Sequence, residues 1–148
     1  MPRHSTLVPL SHDHHEALLI ALRLKKGGPA SANDRLWPAD LHAQIHSLQL
    51  FGERELLPHF KLEEDKLFPV ASKLIELQEV IYILKGQHAR LRQLLAGISV
   101  SKEEDTLNEL LREFGTLLES HVRLEERELF PKLEIAEAEG KITLPVLK

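Results

Sequence analysis

An eleven-residue segment occurs twice in this chain, and its internal spacing restricts the fold more than any other feature. His59-Phe60-Lys61-Leu62-Glu63-Glu64-Asp65-Lys66-Leu67-Phe68-Pro69 returns 62 positions later as His121-Val122-Arg123-Leu124-Glu125-Glu126-Arg127-Glu128-Leu129-Phe130-Pro131. The copies share His, Leu, Glu-Glu and Leu-Phe-Pro in one register. A helix puts residues four apart on the same face, one turn or about 6 Å along its axis. Each copy then presents an imidazole beside a carboxylate, followed by an apolar pair and a proline that reads as a helix stop. Imidazole plus carboxylate in duplicate is a ligand set for two transition-metal ions.

The rest of the chain supplies helices of matching period. A first helix is expected over Leu10–Lys26, with Ser11 and Asp13 at its capping end and Gly27-Gly28-Pro29 as its stop. After a loop to Trp37, Pro38 suits the first position of a second helix. That helix carries Leu41, Ile45, Leu48, Gly52 and His59 on one face, runs to Leu67, and is kinked by Pro58 just before His59. The third, over Ala71–Leu95, has an unbroken seam of Leu74, Leu77, Ile81, Leu84, His88, Leu91 and Leu95. Gly97 and Ser99 are expected to break it. Ser101 and Glu104 form a capping-box pattern for the fourth, which carries Leu107, Leu111, Phe114, Leu118, His121 and Glu125 to Pro131. The segment after Lys132 adds a short C-terminal helix to Gly140.

Four amphipathic helices with mostly short connections predict an all-α, up-down-up-down four-helix bundle with an internal two-fold repeat. The 148 residues form one domain, with its core over about 10–135 and terminal extensions at 1–9 and 136–148. A net charge of −4, with acids and bases interleaved, gives no basic footprint for nucleic acid and no polybasic membrane patch. No apolar run approaches a membrane span, and Met1-Pro2-Arg3-His4 does not lead into a signal peptide. The absence of cysteine removes disulfides, iron–sulfur ligation and cysteine zinc sites, and is compatible with a cytoplasmic protein.

His59, Glu63, His121 and Glu125 lie in phase with apolar stripes, which points them inward. A buried carboxylate without a partner costs several kcal/mol, and a metal cluster removes that cost. His88 occupies a core position of the third seam and joins the set. The first helix offers His12, His14 and His15. His15 shares a face with Leu18, Leu19 and Leu22 and aligns on His88, so it is taken as the ligand, with His14 as the alternative. His12 is read as a surface residue, as are His42 and His46, which lie off their stripe. Glu55 is one turn before His59 on the same face, but its counterpart is Leu117. Glu64 and Glu126 are turned about 100° from the ligand face and are assigned surface or supporting contacts. Tyr82 falls outside the seam. His15-Glu16 opens like a zinc-protease motif, but Leu19 stands where the second histidine belongs. The mixture of imidazole and carboxylate favours iron over zinc, which prefers a closed four-coordinate site, and over oxygen-loving magnesium. Ferritin-like bundles use Glu-x-x-His, a spacing absent here.

The Ser-His-Asp-His-His opening, the two His-x3-Glu-Glu repeats and both Leu-Phe-Pro segments resemble the hemerythrin-like (HHE cation-binding) family over about residues 10–135. The resemblance implies His15, His59, His88 and His121 as terminal ligands. It implies Glu63 and Glu125 as carboxylates bridging a non-haem di-iron centre, oxo- or hydroxo-bridged, with manganese or zinc as substitutes. Oxygen-carrying hemerythrins have a further histidine one turn away on the third helix. Leu84 and Arg92 occupy those distances from His88 here, which implies more open coordination positions and a reactive or sensing site. The expected function is binding or sensing of O2 or NO. The alternatives are an enzyme acting on peroxide or nitric oxide, and a protein that repairs iron centres or donates iron.

Overall fold

The computed structural model describes residues 3–147; Met1, Pro2 and Lys148, the outermost residues of the two extensions, lie outside it. The described residues form a helical bundle with no strand. Helix α1 spans Val8–Lys26 and ends at Gly27, whose φ of 73° is the left-handed cap a glycine adopts freely. Helix α2 covers 41–71, α3 is Gln78–Val100 and α4 covers 104–138. None is long and apolar enough to cross a membrane.

Several boundaries differ from the sequence reading. Ser11 and Asp13 do not cap α1, which starts before them; their side chains instead bond across to other helices, Ser11 to Glu126 and Asp13 to His59. Helix α2 begins after Pro38, because Asp40 accepts a hydrogen bond from the Ala43 backbone N–H (3.0 Å) and so caps it. Helix α3 starts later than expected: Leu74 and Leu77 are buried, but in a turn and a short 3-10 segment. It also runs through Gly97, because the buried Leu94 and Ile98 hold that end against the core. The Ser101/Glu104 box is not used, since Glu103 occupies the cap position without a side-chain bond.

The largest difference concerns the prolines. Pro69 and Pro131 do not stop their helices, and the second helix runs on through Pro58 as expected, because each proline stands one residue beyond a π-helical turn: Gly52–Leu56, Glu63–Leu67 and Glu125–Leu129. A proline inside an α-helix clashes with the carbonyl four residues back. Here the residue before each proline reaches back five instead: Leu57 N–H to Gly52 O, Phe68 N–H to Glu63 O and Phe130 N–H to Glu125 O. The wider turn makes room for the ring, and the helix continues. Two of these turns begin at the motif glutamates, where such insertions commonly mark functional sites.

The hydrophobic interior is divided in two. One cluster gathers Ala17, Ala21, Leu24, Leu48, Phe60, Leu91, Leu111, Phe114 and Leu118 among others. The other gathers Leu7, Leu10, Leu67, Phe68, Leu84, Leu129 and Phe130, and is closed by Ile142, Leu144 and Leu147 from the C-terminal segment. Residues at both chain ends therefore belong to the core. Helices α1 and α4 are in close contact at Gly115, where a Cβ would lie 2.8 Å from the Ala21 carbonyl oxygen and 2.9 Å from Leu24 Cβ.

Candidate metal centre

Between the two clusters lies a layer of buried polar side chains: His14, His59, Glu63, His88, His121 and Glu125. Helix α1 contributes His14, α2 His59 and Glu63, α3 His88, and α4 His121 and Glu125. Their ligand-type atoms form two groups, His14/His59/Glu63/Glu125 and Glu63/His88/His121/Glu125, within each of which all atoms lie within 4.8 Å of one another. Both carboxylates belong to both groups, and their oxygens divide between them. Glu125 Oε1 lies 2.9 Å from His14 Nε2, whereas Oε2 lies 3.6 Å from His121 Nε2. Glu63 Oε2 lies 3.4 Å from His59 Nε2, whereas Oε1 lies 3.1 Å from His88 Nε2.

The outward nitrogens show why the inward ones need a cation. Every ring Nδ1 faces an acceptor: Glu126 Oε2 for His14 (2.6 Å), Asp13 Oδ2 for His59 (2.9 Å), Glu64 Oε2 for His88 (2.7 Å) and Gln87 Oε1 for His121 (2.8 Å). A carboxylate or amide oxygen only accepts, so each Nδ1 carries a proton, and a ring with no second proton turns an Nε2 lone pair inward. Those lone pairs converge on carboxylate oxygens and on each other; His88 Nε2 and His121 Nε2 are 3.1 Å apart. His59 Nε2, Glu63 Oε2 and Glu125 Oε2 are buried with no hydrogen-bond partner. A cluster of acceptors without donors is repulsive unless a cation sits among them. The donor set therefore fits a metal, and the outer acceptors are the partners that orient metal-binding histidines.

Protons are the cations available when metal is absent. Burial works against the charged form of His14, but its bonds to Glu125 and Glu126 outweigh that and push its pKa up to about 9. His59 is likewise raised well above the usual value, with burial opposed by Glu63, Asp13 and Glu125. Burial would raise Glu63, but His59, Glu125 and His121 hold it well below the usual carboxylate range. A pKa raised on folding stabilises fully below the unfolded value of 6.5, and that contribution is lost as pH rises through about 9. Chelator-stripped protein is accordingly expected to unfold at lower urea at pH 9.5 than at pH 6, and metal uptake to release protons, both measurable by titration.

Aromatic rings wall the layer. Phe60 stacks on His88 at 3.9 Å between centroids, Phe68 lies at 5.4 Å on the same ring, and Phe130 stacks on His14 at 5.6 Å. Arg92 and Arg3 lie over Phe60 and Phe130 while pairing with Glu64 and Glu126. A cavity with about 10 Å³ of room for the centre of a water molecule adjoins His14, His59 and His121; its walls include Ala17, Leu56 and Phe60, with Glu16 and Glu55 nearby.

Five of the residues expected from sequence, His59, Glu63, His88, His121 and Glu125, come together here. His15 does not; it is exposed, and His14 takes the place on α1. The inward stripe of α1 is Leu10, His14, Ala17, Ala21 and Leu24, while Leu19 and Leu22 are more than a third exposed. Bulk was a misleading guide: the buried face of α1 includes two alanines, and it is Ala21 and Leu24 on that face that lie against Gly115 of α4. His14→Ala is expected to lower bound metal per chain and His15→Ala to leave it unchanged, by elemental analysis. Glu64 and Glu126 make the supporting contacts expected of them. Asp13 and Gln87 were missed as histidine partners; the signal for both is a polar residue immediately before an inward histidine. His12, His42, His46, Glu55 and Tyr82 are all exposed.

No curated protein and no solved structure matches the chain. The family model for the hemerythrin HHE cation-binding domain matches residues 6–133, a span that contains all four helices up to the last turns of α4 and every residue of the buried layer. With that match across most of its length, the chain belongs to the hemerythrin HHE cation-binding family.

Proposed function

We propose that the polar layer holds two non-haem iron ions bridged by Glu63 and Glu125, one on His14 and His59 and the other on His88 and His121, and that the centre binds or senses O2 or NO. The observation that carries this reading is the convergence of donor-free Nε2 lone pairs on two shared carboxylates. The bundle is read as up-down-up-down with repeated halves. An offset of 74 relates Leu10, His14, Ala17 and Leu24 to Leu84, His88, Leu91 and Ile98, and all eight are buried. Two imidazoles and two carboxylates per ion suit iron and leave an octahedral ion open positions. Such a pair supplies one-electron redox chemistry and a place for a small ligand when bound.

The chain's own side chains favour a very small, neutral guest. Ala17, Leu56, Phe60, Leu118 and Val122 line the cavity beside His14 and His59, and its volume of about 10 Å³ is room for a molecule about the size of one water. Glu16 and Glu55 at its edge disfavour anions. A cysteine-free chain fits a cytoplasmic setting. Protein purified from iron-supplemented cells is expected to carry two irons per chain and to change its absorption spectrum reversibly with O2 or NO. Iron below one per chain would overturn the centre. Sustained turnover of peroxide or NO above that of free iron would replace binding with an enzymatic role.

A further inference from the structure

We infer that the two halves of the centre are unequal, with Asp13 and Gln87 as the positioning residues that make the His14/His59 half hold its ion more tightly than the His88/His121 half. The inference rests on the two-ion reading above. Its basis is a comparison of what each histidine's Nδ1–H meets. Two partners correspond closely: Glu126 on His14 is balanced by Arg3 (3.0 Å), and Glu64 on His88 is balanced by Arg92 (2.7 Å). Each of these arginines also covers a phenylalanine, Phe130 or Phe60. Arg92 holds both oxygens of Glu64, whereas Arg3 is shared with Glu134 and Ser11 also donates to Glu126, but each half sets one arginine against one such carboxylate.

What remains is Asp13 on His59 against Gln87 on His121. The two stand at equivalent places, each immediately before the inward histidine of its own helix and each bonded to the histidine of the next. A carboxylate polarises the Nδ1–H bond strongly, raises electron density at Nε2 and adds a full negative charge near the ion. A neutral amide orients the ring equally well but does neither to the same degree. All four rings are thus held by an acceptor on Nδ1, while the charge behind them differs, since Asp13 carries one and Gln87 does not. The protein accordingly has a stable one-ion form, and the ion on His88 and His121 is the one it surrenders first. Partners of this kind typically alter metal affinity about 10–100-fold.

The test uses cobalt-loaded protein dialysed against graded chelator, with cobalt per chain, helicity and anomalous diffraction as readouts. Release is expected in two steps whose chelator midpoints differ about tenfold or more, with the retained cobalt between His14 and His59. Gln87→Glu is expected to raise the midpoint of the first step about tenfold, and Asp13→Asn to lower that of the second, each narrowing the gap. A merely structural role would move neither step selectively. Single-step release with equal half-occupancy, or retained cobalt between His88 and His121, overturns the inference. Two steps in the expected order that neither variant shifts overturn the assignment to Asp13 and Gln87. Full loading with fewer than two cobalt ions defeats the two-ion reading itself, and this inference with it.

Discussion

Glu125→Ala is expected to strip metal from both halves of the centre at once and to lower the thermal midpoint by roughly 10 °C. Glu125 is fully buried and contributes to both ligand groups, one oxygen facing His14 and the other His121. Losing one partner from a buried ionic cluster typically costs about 3–5 kcal/mol. For a domain of this size each kcal/mol shifts the midpoint by about 2–4 °C. The cavity left by the side chain adds to the loss, so Glu125→Gln separates the effects: it fills the space, removes the charge and is expected to lose metal with a smaller drop. Elemental analysis alongside calorimetry distinguishes the two. Wild-type metal content in both variants would refute Glu125 as a shared ligand.

Gly115→Val is expected to be the most damaging substitution outside the polar layer. The added Cβ would stand 2.8 Å from the Ala21 carbonyl oxygen, 2.9 Å from Leu24 Cβ and 3.1 Å from the Lys25 backbone nitrogen. Two of those atoms are backbone, so relief requires α1 to move away from α4. Overpacking usually costs about 1–3 kcal/mol, and a clash with backbone belongs at the upper end or beyond. Gly115→Ala makes the same Cβ contacts, and they are expected to outweigh the helix propensity gain of about 1 kcal/mol. Because α1 carries His14, its displacement should also weaken metal binding at the His14/His59 half while sparing His88 and His121. Thermal unfolding in chelator measures the packing cost, and cobalt retention measures its spread to the centre. An unaltered midpoint for Gly115→Ala would show that the helices close less tightly than the structure has them.

What could be read in the sequence was whatever depended on helical phase. The four core histidine and glutamate positions of the repeats, and His88 in its seam, follow from spacing alone, and the structure buries all of them. Reading failed where a contact between helices decided the matter. His14 rather than His15 lies on the same buried face as Ala21 and Leu24, the residues of α1 that rest against Gly115, and hydrophobicity assigned the wrong stripe. The prolines misled for a related reason. Their effect depends on the hydrogen-bond step of the preceding turn, and a five-residue step leaves no mark in composition. Gln87 and Asp13 were missed because their importance comes from histidines on neighbouring helices, at 2.8 and 2.9 Å.

The division of the interior has a mechanical consequence. Oil above and oil below are parted by a stratum of charge, and α2 and α4 each change pitch where they leave it, at Glu63–Leu67 and Glu125–Leu129. Cooperativity between the ends must pass through that stratum, where the His88 ring, stacked by Phe60 of one cluster and Phe68 of the other, carries contact across. Bound cations would act as rivets through the seam; without them the proton on His14 would have to serve, and once pH passes about 9 the acceptors would repel one another. Demetallation would therefore loosen the joint between two otherwise intact ends, and the amides whose exchange it accelerates most would be those at mid-height.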